Sequence, residues 1–182
     1  MDAFNDNQSD QLTPNALSFL ALCNEYCEAI ENIGDYEPQS FVDRMVRLLP
    51  RIYISAIDLK VDMFEGEGGY IAPALDEDAY NTARDSIASL LGEEDTFLEV
   101  FMQDMKYSDS PIAATISECL ADLFQVYYDL LETCREAPVV IINDALAAVK
   151  ESFVDFWSQT LTNVLRAINA IAFNGTLNSD FE

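Results

Sequence analysis

The sequence contains no histidine, so any chemistry rests chiefly on its carboxylates and thiols. The commonest general base is therefore missing, and with it the Ser-His and Cys-His nucleophile pairs. The Glu-x-x-His di-iron sites of helical bundles are excluded on the same ground. The densest acidic pattern is Glu118, Asp122, Gln125, Asp129, Glu132 and Glu136, stepping by four and three. Opposite it lie Ile116, Cys119, Leu123, Tyr127, Leu130 and Cys134. One helix face is thus core and the other an acidic ridge without an interleaved lysine. Like charges at i,i+4 weaken a helix by roughly 0.2–0.5 kcal/mol each. The ridge is either a solvated face or a docking face for a basic partner, with Glu118, Asp122, Asp129, Glu132 and Glu136 as its contacts.

A second set of carboxylates suggests metal chemistry. Glu25 and Glu28 form a Glu-x-x-Glu pair, and Asp58 and Asp62 stand one turn apart. Helical nucleotide pyrophosphohydrolases hold magnesium with such pairs on adjacent helices and hydrolyse a phosphoanhydride with metal-activated water. Their second pair is closer to Glu-x-x-Asp, so the motif is incomplete here, although Arg51 or Lys60 offers a phosphate contact. The competing reading is ordinary exposed carboxylates. Cys23 and Cys27 lie one turn apart, with Cys119 and Cys134 elsewhere. A thiolate zinc site prefers closely spaced pairs on loops, whereas these four fall in apolar helical stripes and read as buried free thiols. The glycine-rich stretch 65–75 lacks the Lys-Ser/Thr of a phosphate loop and the alternating acids of an EF-hand.

The elements that must position these residues read as helices. A polar acidic tail, 1–12, precedes Thr13-Pro14, a capping hydroxyl followed by a first-turn proline. The first helix runs to about Ile33. The second, from about Pro38 to Met63, contains Pro50, which predicts a kink or break. After the loop 65–75 come a third helix over 76–91, a short fourth over 95–105 and a fifth from Pro111 to Cys134 or Arg135. The last helix spans 138–173 with Ile142, Leu146, Val149, Phe153, Phe156, Val164, Ile168 and Ile171 on its apolar side. At ~1.5 Å per residue it extends roughly 50 Å, so other helices must pack along it. No strand pattern of useful length occurs. The expectation is an all-α bundle of about six helices with a long C-terminal helix, one domain over 13–175, and a flexible tail over 176–182.

With 33 acids against nine bases, the formal charge is −24. Such a field repels nucleic acid and anionic membrane and favours basic partners. No secretory leader or membrane span is apparent, and the free thiols fit a cytoplasmic setting.

The stretch Ser117-Glu118-Cys119-Leu120-Ala121-Asp122-Leu123-Phe124-Gln125 resembles a segment of a bacterial family of small, acidic, all-helical proteins classed as a domain of unknown function. Phe156-Trp157-Ser158 and Leu165-Arg166-Ala167-Ile168 resemble that family's last helix. The resemblance implies an intracellular helical domain with no established activity and no catalytic residues to carry over. It also implies histidines in some relatives, where this chain has Thr160 and Asn169.

Three functions follow. A non-enzymatic interaction or regulatory module, binding a basic protein and needing no cofactor, is the first expectation. A magnesium-dependent pyrophosphohydrolase using Glu25, Glu28, Asp58 and Asp62 is the alternative. A homodimer formed through the apolar face of the long helix is the third.

Overall fold

Helix start signals in the sequence translate directly into structure. The computed structural model describes residues 11–61, 69–99 and 112–174. The Thr13 hydroxyl accepts from the Ala16 amide at 3.1 Å, with Pro14 in the first turn, and opens α1 (Pro14–Glu31). A 3₁₀ turn, Ile33–Asp35, leads into α2 (Pro38–Asp58). Asp76 caps α3 (Glu77–Leu91), accepting from the Ala79 amide at 2.7 Å. Gly92, with φ of +57°, closes α3 in a conformation that favours glycine. Thr115 caps α4 (Ile116–Cys134), followed by α5 (Val139–Ser152) and α6 (Ser158–Asn174).

Two expectations change. Pro50 does not divide α2, which runs unbroken through it. The missing amide bond is outweighed by burial of Met45, Leu48, Leu49, Ile52 and Ala56 along the same helix. The helix expected over 95–105 is instead a 3₁₀ turn, Gly92–Asp95, and a strand, β1 (Thr96–Glu99); residues 100–105 lie outside the described residues. β1 pairs antiparallel with β2 (Ile112–Thr115), Phe97 opposite Ala114 and Glu99 opposite Ile112. Four-residue strands carry too few alternations for periodicity to reveal them. The expected tails also lie outside the description, except that Leu12 packs against the core.

The fold is an all-α bundle with a small two-stranded ribbon. Its hub is α4, which packs against α1, α3, α5 and α6, while α6 packs chiefly along α2 and α4. Trp157 is fully buried at the centre. It meets Tyr127 and Phe153 edge-on, at centroid distances of 5.4 and 4.5 Å, and lies beside Phe19. Its indole N–H donates to the Val149 carbonyl at 3.1 Å, which satisfies the only polar atom the ring buries.

The long C-terminal helix carries an irregularity. Between α5 and α6, Phe153–Trp157 forms a π turn in which the Ser158 amide bonds the Phe153 carbonyl five residues back. Phe156, expected on the apolar side, is 54% exposed, and Trp157 takes the core position. The reason is register: Val149, Phe153, Trp157 and Leu161 are all buried, a spacing of four per turn. A regular helix over that length would rotate about 120° away from the core, and the wider π turn absorbs the difference.

Candidate functional site: an acidic cavity at the π turn

The π turn controls what the bundle presents at one end of α4. It directs Asp155 and Phe156 outward, beside the first turns of α4 and the inner face of the ribbon. Together they border an open cavity of about 320 Å³, with Glu99, Ala114, Glu118, Cys119, Asp122, Gln159 and Thr160 completing the lining. Glu99 is oriented by the buried Asn163, whose Nδ2 donates to Oε1 at 3.3 Å. Asp122, half-buried, accepts from the Tyr80 hydroxyl of α3 at 2.7 Å. Burial, reinforced by Glu118, raises the Asp122 carboxyl above its ordinary range against the lowering effect of the Tyr80 bond. Burial and the neighbouring Asp122, Glu99, Glu118 and Asp95 push the Cys119 thiol up to about 12. At neutral pH it is a protonated, weakly nucleophilic group.

The acidic ridge read from α4 is divided. Glu118 and Gln125 are exposed, and Asp122 turns partly to Tyr80. Asp129 accepts from the amides of Ala74 and Leu75, both at 2.8 Å. Glu132 pairs with Arg135, and Glu136 lies beyond the helix end with a left-handed φ of +55°. Only the Glu118–Asp122 half of the ridge faces the cavity. Glu99, Asp155 and Phe156 join it from other elements, and spacing on α4 alone gives no sign of them. The four-residue recurrence from Val149 to Leu161 was the available signal.

Among the described residues, the carboxylates of the magnesium reading do not come together. Glu25 is occupied by Arg44 at 3.6 Å and Arg51 at 3.3 Å. Glu28 accepts from its own helix neighbour Asn24 at 2.7 Å. Asn15 of α1 reaches the Ser55 carbonyl of α2, so the two helices are antiparallel. Asp58 therefore lies about 10 Å along the axis beyond Arg51, away from Glu25 and Glu28. Asp62 lies outside the described residues. No cluster of three or more acidic or sulfur side chains suited to a metal occurs among the described residues, and the four cysteines are free thiols. The carboxylates of the cavity likewise border it without converging on one point.

Thr160 lines this cavity, whereas Asn169 lines another of about 470 Å³ between β1 and α6. No described helix is long and apolar enough to cross a membrane. The crystal structure of protein BF1032 from Bacteroides fragilis is similar, with a TM-score of 0.73 at 26% identity, covering 88% of this chain and 94% of that one. No curated protein matches the chain. The model of the domain of unknown function DUF5063 matches residues 10–174, which includes the stretches around Ser117 and Trp157 where the sequence resembles such a family. The chain belongs to the DUF5063 family.

Proposed function

We propose that the protein is a non-enzymatic interaction module that docks a basic segment of a partner protein at the acidic cavity. The observation that carries this reading is the π turn. It places an exposed aromatic ring, Phe156, beside Glu99, Glu118, Asp122 and Asp155 around one opening. A guanidinium or ammonium group entering there meets carboxylates on several sides and an aromatic ring. π turns are also frequent at functional sites. The charge of −24 would steer a basic partner inward and repel nucleic acid and anionic membrane. The unpaired thiols suit a reducing, cytoplasmic setting.

The test is an NMR titration of the labelled protein with an oligoarginine peptide at low salt. Shifts centred on Glu99, Glu118, Asp155 and Phe156, abolished by the double change Glu118→Lys and Asp155→Lys, support the reading. Small shifts spread evenly over all acidic surfaces would show charge attraction without a site, and the reading would fall.

A further inference from the structure

We propose that the segment 69–75 is an autoinhibitory strap that masks the C-terminal half of the α4 acidic ridge; the proposal rests on the reading of that ridge as part of a docking face. The segment has no regular secondary structure, and Tyr70 is 72% exposed. Only Ile71 and Leu75 lean on the core. Its attachment is polar. The Ala72 amide donates to Thr133 Oγ1 at 3.1 Å, and the Ala74 and Leu75 amides both donate to Asp129 Oδ1. Thr133 is itself fixed, its hydroxyl donating to the Asp129 carbonyl at 2.8 Å. At the other end the strap lies directly on α5. A Cβ on Gly69 would stand 2.0 Å from the Asp144 carbonyl oxygen and 3.2 Å from the Ala148 amide. Only glycine allows that approach.

A segment held by a few hydrogen bonds, one backbone contact and the partly buried side chains of Ile71 and Leu75 opens more readily than the helices beneath it. While closed, it occupies Asp129, the middle acid of the ridge, with two backbone amides. Of the ridge, a basic partner then meets only Glu118 and Asp122, beside Glu99 and Asp155 of the cavity. Lifting the strap returns Asp129 to solvent and extends the acidic face of Glu118 and Asp122 toward the C-terminal end of α4.

Two single variants of the full chain test this. Gly69→Ala forces the strap off α5, and Thr133→Val removes the acceptor for Ala72. Hydrogen exchange over 70–76 should accelerate roughly tenfold, the equilibrium worth of one hydrogen bond, while α4 and α6 amides keep wild-type protection. An oligolysine peptide at low salt should bind both variants several-fold more tightly. If Gly69→Ala does not fold, judged by circular dichroism, Thr133→Val carries the test. Unchanged exchange over 70–76 overturns the strap, as does faster exchange without tighter peptide binding. The docking reading is scored apart by Asp155→Lys. Weaker peptide binding there, with no gain in the strap variants, overturns the strap alone; no binding by any form overturns both.

Discussion

Asp122 stands where two demands meet, because it bonds Tyr80 of α3 and also lines the cavity. Its carboxyl is held above the ordinary range chiefly by burial. A raised folded-state value means the folded protein keeps this proton more tightly than the unfolded chain. The associated stability is complete at low pH, and it is lost as pH rises through the folded-state value. At neutral pH the ionised group therefore weakens the fold slightly. Asp122→Asn keeps an acceptor for Tyr80 and removes the charge. The variant should match the wild type near pH 3 and become the more stable of the two as pH rises toward 7. Thermal melts across that range check it. A variant that matches the wild type near pH 3 and becomes the less stable of the two as pH rises would mean that the Tyr80 bond needs the charged acceptor and that burial is not the governing influence. The acids of the ridge look alike in the sequence, yet Asp122 and Asp129 are tied to neighbouring elements while Glu118 is not. Spacing reveals which face a residue occupies, but not which loop or tyrosine crosses that face.

At the scale of elements, capping and periodicity made most helices legible. Thr13, Asp76 and Thr115 each accept an amide of the first turn, and Ala137-Pro138 marks the α4–α5 break as the sequence indicates. What stayed hidden was the ribbon, whose pairing joins residues far apart in the chain, and the π turn, which shifts every position after it by one. That shift decides the fate of neighbours of similar chemistry. Phe156 is exposed and Trp157 fully buried. Replacing Trp157 with alanine should cost about 3–5 kcal/mol, the usual range for an aromatic in a packed centre. Phe156→Ser should change stability by less than about 0.5 kcal/mol, as at an ordinary surface position. Urea unfolding measures both. Similar losses at the two positions would indicate a regular helix with Phe156 in the core. The cavity would then lose both Phe156 and the placement of Asp155.

Over the whole molecule, the unresolved question is why a fold with an ordinary core carries a charge of −24. Internal pairing relieves little of it. Nine bases can neutralise at most nine of the 33 acids; ion pairs among the described residues include those of Arg44 and Arg51 with Glu25, Arg84 with Asp85 and Arg135 with Glu132. Most of these side chains are substantially exposed, where a pair contributes about 0–1 kcal/mol. The remaining acids repel one another across a molecule with a radius of gyration of about 16 Å. At 10 mM salt the screening length is ~30 Å, so repulsion acts across the entire body; at 0.15 M it falls to ~8 Å and acts between neighbours only. Relief of even 1–2 kcal/mol should raise Tm by about 2–8 °C over that interval. The gain should level off as screening becomes complete. Calorimetry in sodium chloride, with sucrose as an uncharged control, measures it. A flat Tm would mean that the acids are already neutralised locally, and the charge would then need no function to explain it. A rising Tm would mean that the fold is less stable for its charge. Peptide binding at the cavity must then respond in the opposite sense, weakening over the same salt interval in which the fold strengthens. Opposite slopes, together with binding that Glu118→Lys and Asp155→Lys abolish, separate an acidic surface with a docking role from one that only keeps the protein dissolved.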